Sequence, residues 1–393
     1  MRVVVVGAGV IGMLTALECA AVGAEVTVVD RAEVPNPRGA SYDRHRAIRA
    51  LYPSEPGTTR IAVAVDASWT ALERSLGARV YQRVGALTAL PPAAAAAACE
   101  VLADAGAPCE ALDHGALTAR YPQVNWPAGI GAVHEPRGGV VLADLALHAI
   151  AARLAAAPRC RLLARCRVVA VDAVGGGVRL EGGEELHGDA VLVAGGPWSR
   201  ELVPADVASR LTLYRQTLLY CTVPQDRHAD WAQMPVMPAL GTPEGAWLQP
   251  PVAGTPLKLS AAAACRPVEG ITDFAAPRAV QDILLDAFAP LIGGFDPGWV
   301  VDARDAYYLA ATAADGAGHA PLLSRIGERA WAFAGCGGSS FKMAPLLARE
   351  LCALATGIRR DASSPVPLPV PSPTGRPEPD APRRSTAPEE AHR

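Results

Sequence analysis

Two lysines, Lys258 and Lys342, stand in a chain of 393 residues beside 34 arginines. A composition that uses arginine for solvated positive charge keeps lysine where a compact ammonium with an adjustable pKa is needed, because a planar guanidinium cannot replace it in a tight site. Two further groups of residues could do chemistry. Gly7-Ala-Gly-Val-Ile-Gly12 has GxGxxG spacing, and Asp30 follows at the end of the next apolar run. Gly7 permits a tight turn, Gly9 lets the backbone approach a pyrophosphate, and Gly12 lets helix and strand pack closely. A helix opening there through Val10 and Ile11 would face phosphates with unpaired N–H groups and a favourable dipole. Asp30 would take ribose hydroxyls and disfavours a 2'-phosphate, so NADP is not expected. Arg44, Arg46 and Arg49 form the third group; Arg46 and Arg49, three apart, would project from one side of a helix, either into a site or as a solvated face.

The elements that must position these residues alternate between β-branched runs and amphipathic stretches, the pattern of an α/β protein. Arg2–Val6 and Glu25–Asp30 read as strands flanking a helix over Gly12–Val22. Arg161–Val171, Gly177–Leu180, Ala190–Ala194 and Ala330–Ala334 read as further strands, and a helix is expected over Phe341–Ala355. The alanine run at 93–98 belongs to a good helix former. Strand-like segments Leu213–Val223 and Leu257–Ser260 lie in the middle block and suggest a more β-rich lobe. The expected division is a discontinuous nucleotide-binding lobe (1–85, 136–210, 300–360) and a mixed or antiparallel β-rich substrate lobe (86–135, 211–299). The tail over 361–393, rich in proline and charge, has too few core-forming side chains to fold alone and is expected to be disordered.

Composition removes several function classes. A formal charge of -3 and a pI near 6.3 exert no pull toward nucleic acid or anionic lipid. No apolar stretch reaches the roughly 20 residues of a membrane span. Met1–Val10 carries one basic residue and runs into a glycine turn, which disfavours a secretory leader. Nine cysteines without a CxxC pair fit reduced thiols of a cytoplasmic protein and argue against a disulfide framework or metal site. No repeat is evident, and nothing fixes the oligomeric state, a monomer being the simplest expectation.

Two later glycine-rich turns distinguish between dinucleotides. Val191-Leu-Val-Ala-Gly-Gly196 and Phe333-Ala-Gly-Cys-Gly-Gly338 either just end strands or, with the first turn, line an extended cofactor. The second reading favours FAD over NAD.

Together these segments resemble the FAD-dependent amino-acid oxidases, and within them the monomeric sarcosine oxidase group. The resemblance covers most of the chain before the tail and is most specific at Gly7–Gly12, Gly39–Tyr52, Pro256–Leu259 and Gly335–Lys342. It implies a glutathione-reductase-like FAD-binding domain of Rossmann type, with cofactor contacts from Gly7, Gly9, Val10, Ile11, Gly12, Asp30, Arg31, Ser41, Tyr42, Arg46, Val168, Gly195, Gly337, Gly338, Phe341 and Lys342. It also implies that Lys258 lies by the flavin and helps dioxygen accept electrons, while Arg49 and Lys342 hold the substrate carboxylate. Those residue types suit those tasks: a compact cation stabilises the charge formed on dioxygen in a dry pocket, and a guanidinium fork with a point charge matches a carboxylate. A strand lysine with its head in solvent and a plain helix lysine are the alternatives for Lys258 and Lys342.

The chain also departs from the family. Tyr308 stands where the sarcosine oxidases attach flavin through cysteine, and neither Cys265 nor Cys336 replaces it, so non-covalent FAD is expected. Tyr42, rather than His45, stands at a family histidine. Trp247 replaces a tyrosine and Ala262 a histidine, which remodels the substrate pocket around Arg49, Trp247, Tyr308 and Lys342 toward a larger or cyclic secondary amino acid. The expected activity is hydride transfer from the C–N carbon of an amino or imino acid to flavin, with dioxygen becoming hydrogen peroxide. No dedicated base is evident, His45 being a weak candidate. A dehydrogenase using a quinone or protein acceptor, and a non-catalytic nucleotide-binding redox sensor, are the alternatives.

Overall fold

The computed structural model describes residues 1–312 and 319–359; the proline-rich tail expected to be disordered lies outside the described residues. β1 (Arg2–Val6) runs parallel to β2 (Glu25–Val29) on one side and to Ala190–Val193 on the other. The sheet continues to Cys160–Leu163 beyond β2, and to Ala330–Gly335 and antiparallel Leu322–Arg325 at the other edge. Both faces are covered, so β1 is an uninterrupted valine run rather than an alternating one. Val3 and Val5 pack with Met13, Leu14, Ala344, Leu347 and Leu351. Val4 and Val6 pack on the opposite face with Val191, Val193, Tyr307 and Leu309. Each fully buried valine or leucine in these layers contributes about 1.5–3 kcal/mol. α1 (Val10–Ala21) and the terminal helix Ser340–Thr356 cover the first face, and Gly357, at φ 69°, ends the latter in the left-handed conformation that favours glycine.

Arg161–Val171, expected as one strand, is two. Cys160–Leu163 joins the parallel sheet, and Val168–Asp172 starts a separate three-stranded antiparallel sheet with Gly177–Leu180 and Glu185–His187. Between them Arg165 takes φ 58°, and the Arg165 and Cys166 N–H groups donate to the Ala32 and Asp30 carbonyls. These bonds turn the chain over the carboxyl ends of the parallel strands, which an uninterrupted strand would leave uncovered.

The β-rich lobe is a ten-stranded sheet. Val300–Thr312, assigned from sequence to the nucleotide-binding lobe, lies in this sheet instead, antiparallel to Leu211–Cys221 from Leu211 opposite Ala311 to Cys221 opposite Val300. Its register with that long partner outweighs its closeness in sequence to the closing strand. Leu257–Ala261 lies between Leu211–Cys221 and Ala246–Gln249, which sets Lys258 opposite Tyr220 on one side and Gln249 on the other. Ala86–Leu90 and Gly131–Glu135 belong to the same sheet. Among the described residues no helix is long and apolar enough to cross a membrane, and no cluster of three or more acidic, histidine or cysteine side chains could hold a metal ion.

Candidate cofactor and substrate site

Two cavities adjoin at the carboxyl ends of the parallel strands. The first is lined by Gly7–Gly9, Asp30, Arg31, Val168 and Gly195, among others. Its glycines are sterically required: a Cβ at Gly7 would overlap the Ala194 carbonyl, and one at Gly12 would overlap the Gly7 carbonyl. Gly9 is extended at φ -73° and ψ 179° and leads into α1, where the Val10 N–H donates to Ser41 Oγ at 3.1 Å. Asp30 anchors this turn by accepting the Ala8 N–H at 2.7 Å and the Ala32 N–H at 2.9 Å. Burial pushes its carboxyl above the ordinary value, against those two bonds. The Arg31 guanidinium lies 4.8 Å from the Trp198 ring. This glycine cradle, running on into a second cavity, fits an elongated dinucleotide such as FAD.

The second cavity shares Ile11, Ala40, Ser41 and Cys336 with the first. Val10, Arg46, Arg49, Trp247, Gln249, Tyr308, Gly337, Gly338, Phe341 and Lys342 also line it. Residues 46 and 49 were expected on one side of a helix. Arg46 instead belongs to a short strand, β3 (Arg46–Ile48), paired antiparallel with Gly139–Val141, and Arg49 follows its end. Pairing fixes this: Arg46 lies opposite Val141, Ala47 opposite Val140 and Ile48 opposite Gly139, and on the far side Gly139 packs so closely on Gln82 that a Cβ would overlap its carbonyl. The chain beyond Arg49 is fixed by Glu135, whose Oε2 accepts the N–H groups of Ala50 and Leu51 at 2.8 and 3.1 Å. Both arginines therefore reach the cavity by a route that helical spacing did not describe.

Arg49 and Lys342 meet over Tyr52. The guanidinium lies 4.5 Å and the ammonium 5.1 Å from the ring centroid. Lys342 sits in the first turn of the terminal helix, where its carbonyl accepts the Trp69 indole N–H at 2.7 Å and Trp69 stacks on Phe341 at 5.6 Å. Arg49 Nη1 is buried without a hydrogen-bond partner among the described residues, as is Glu135 Oε1. Tyr52 Oη faces Lys342 and Ser339 without reaching hydrogen-bonding geometry to either. Burial lowers the Lys342 pKa, opposed by Tyr52. Burial would raise the Tyr52 hydroxyl, but Lys342 and Arg49 outweigh it and hold the phenol below its ordinary value. An unpaired guanidinium beside an ammonium is a receptor for an anion, and a carboxylate supplies one.

Lys258 is arranged differently. Its side chain is fully buried, and Nζ donates to Asp43 Oδ2 at 2.8 Å and to the His45 carbonyl at 2.9 Å. The ammonium lies 5.8 Å from the Trp247 ring, behind the wall that Arg46, Trp247 and Gln249 present to the second cavity. A head in solvent is thereby corrected. Burial lowers its pKa to about 8, against the favourable charge of Asp43. Burial acts to raise Asp43, but Lys258 and then Arg46 outweigh it and hold the carboxyl far below the ordinary range. Asp43 Oδ1 also accepts the Tyr220 hydroxyl at 2.7 Å.

Tyr42 is not brought to either cavity. It lines an outer groove with Arg44 and Arg304, its ring edge-on to His148 at 6.5 Å. Gly12 stands behind the turn, where it permits packing rather than contact. His45 is fully buried and its ring nitrogens lack partners; burial lowers its pKa to about 3, so it stays neutral and is too weakly basic to deprotonate a substrate ammonium. Tyr308 Oη lies 3.3 Å from Cys265 Sγ in the cavity wall. Sequence reasoning missed Asp43, Tyr52, Glu135 and Gln249. Asp43 and Tyr52 fall inside the Gly39–Tyr52 segment, and a lone acid among three arginines was the available signal.

The family model described as FAD dependent oxidoreductase matches residues 2–354. Monomeric sarcosine oxidase of Bacillus sp. (strain B-0618) is 24% identical over 238 residues, covering 59% of this chain and 61% of that protein. Peroxisomal sarcosine oxidase of Mus musculus is 29% identical over 150 residues, 37% of this chain and 38% of its own length. The chain thus spans about three fifths or less of the curated relatives it matches. Among solved structures, the open form of NikD, an unusual amino acid oxidase essential for nikkomycin biosynthesis, aligns with a TM-score of 0.73 at 20% identity over 90% of this chain and 93% of that one. Glycine oxidase from Geobacillus kaustophilus aligns with a TM-score of 0.74 at 20% identity over 92% and 96%. These likenesses establish the shared fold.

Proposed function

Since the chain belongs to the FAD-dependent oxidoreductase family, we propose that it oxidises the C–N bond of an amino acid or a secondary or cyclic imino acid, giving an imine, with dioxygen as acceptor. The reading is carried by one observation, the unpaired Arg49 guanidinium beside the Lys342 ammonium in a cavity continuous with the glycine-lined one. FAD, when bound, supplies the hydride acceptor. Gly7, Gly9, Asp30 and Arg31 would hold its nucleotide half, and Arg46, Gly337, Gly338 and Phe341 its ring end, without a covalent link.

Arg49 and Lys342 grip the substrate carboxylate and so fix the α-carbon against the ring end of the site. Trp247, Tyr308 and Gln249 enclose the amine side. Gln249 Oε1, buried and without a partner among the described residues, can accept an N–H from that amine. The amine reacts neutral, because an ammonium has no lone pair to support the developing cation. The two cations raise the positive potential at a neighbouring nitrogen, repel its extra proton and so favour its neutral form. Lys258 supplies fixed positive charge for the oxygen half of the reaction.

The test is anaerobic addition of N-alkyl and cyclic amino acids to the flavin-loaded protein. Loss of the oxidised flavin absorbance followed by one hydrogen peroxide per turnover in air is the expected result. No bleaching by any carboxylate-bearing amine would remove the reading. The place of Lys258 behind the wall, lining neither cavity, favours a second reading with a quinone or carrier protein as acceptor. Bleaching without peroxide would select it.

A further inference from the structure

Lys258 is held by a group that reaches neither cavity. Asp43, 1% exposed, accepts three hydrogen bonds, from Lys258 Nζ at 2.8 Å, the Tyr220 hydroxyl at 2.7 Å and the Arg44 backbone N–H at 2.7 Å, and is ion-paired with Arg46 Nη1 at 3.5 Å. Such a carboxylate stays ionised, since protonation would forfeit charge-assisted bonds on both oxygens. The lysine opposite has no access to water and two acceptors among the described residues, Asp43 and the His45 carbonyl. The other charged groups facing it work against its charge: Arg46 from the same segment and Arg304 from the strand beyond Tyr220 are cationic, and His45 is neutral. Trp247 offers only its ring face, 5.8 Å away.

We infer that Asp43 is a positioning residue for the acceptor step: it keeps Lys258 cationic and fixes the ammonium behind the Trp247 and Gln249 wall, so that reaction with dioxygen depends on a carboxylate touching neither cofactor nor substrate. The inference rests on the role given to Lys258 above, and it adds a condition to it. A lysine buried to this degree without a counter-ion sheds its proton near pH 5–6, and a neutral amine would offer dioxygen no charge. Asp43 lifts the midpoint to about 8. Dioxygen reactivity should therefore be full below that pH and fall as pH rises through it, because the proton leaves the lysine there.

The chain contains only two lysines, which makes the test direct. Full-length protein labelled with [13C]lysine gives two side-chain Cε signals, assigned with Lys342→Arg, and each is titrated with and without flavin. Wild type should show Lys258 titrating near 8, and Asp43→Asn should move it down by about two pH units. In parallel, photoreduced flavin is mixed with oxygenated buffer, which needs no substrate. Asp43→Asn at neutral pH should reoxidise about tenfold more slowly, while anaerobic reduction by substrate is preserved. An unmoved midpoint in Asp43→Asn overturns the counter-ion role. Should that variant not fold, a wild-type midpoint near 5–6 overturns it equally. A moved midpoint with unchanged reoxidation overturns the acceptor step's dependence on this charge. Failure of all amines to bleach the flavin would remove the proposed activity and leave the lysine titration standing.

Discussion

The two lysines sit in opposite kinds of surroundings. The Lys258 ammonium has acceptors of its own, Asp43 and the His45 carbonyl, and its charge is neutralised inside the protein by Asp43, although the His45 ring nitrogens nearby lack partners among the described residues. Around Lys342 groups are left open: Arg49 Nη1 and Tyr52 Oη lack hydrogen-bond partners among the described residues, and two cations lie against one aromatic ring. A buried polar group left unsatisfied costs about 1–3 kcal/mol, more when charged, so an unsatisfied cationic cluster beside a cavity marks where a ligand completes the structure. A satisfied pair marks a fixture.

The contrast predicts different failures. Lys258→Met takes the ammonium from buried Asp43 and leaves it Arg46 at 3.5 Å as its opposite charge, which should cost about 3–5 kcal/mol in chemical denaturation. The double variant Asp43→Asn, Lys258→Met should recover a large part of that loss. If it is no more stable than Lys258→Met alone, the pair is not a unit. Arg49→Ala should barely change stability but weaken binding of carboxylate substrates and of simple carboxylate inhibitors by about 2–3 kcal/mol, roughly 30- to 160-fold. Unchanged inhibitor affinity would show that the anion sits elsewhere. The smallest effect is expected of Tyr52→Phe, which keeps the ring beneath both cations and removes only the hydroxyl. Carboxylate affinity should shift by about twofold or less, an effect of a few tenths of a kcal/mol; a loss as large as that of Arg49→Ala would give the hydroxyl a direct part in binding.

Legibility in the sequence followed the range of the forces involved. Gly7, Gly9 and Gly12 were readable because their requirement is steric and local, and the turn after Ala330–Gly335 was readable for the same reason. The short β3 was not, because its three residues carry no period of their own and pairing with Gly139–Val141 decides the conformation. Asp43 looked like one charge in a charged run; its meaning depends on a lysine 215 positions away. Glu135 likewise acts across 85 positions to fix Ala50. Val300–Thr312 was grouped by its place in the sequence, whereas its sheet is set by register with Leu211–Cys221, and its Tyr307 and Leu309 still pack on Val4 and Val6.

Trp69 gives the protein a built-in optical gauge. Its indole is wholly shielded from water, bonded to the carbonyl of Lys342 and stacked on Phe341. Any displacement of the terminal helix's opening turn when an anion is captured must therefore disturb a chromophore already in place, and the emission of that ring can follow occupancy without an added label.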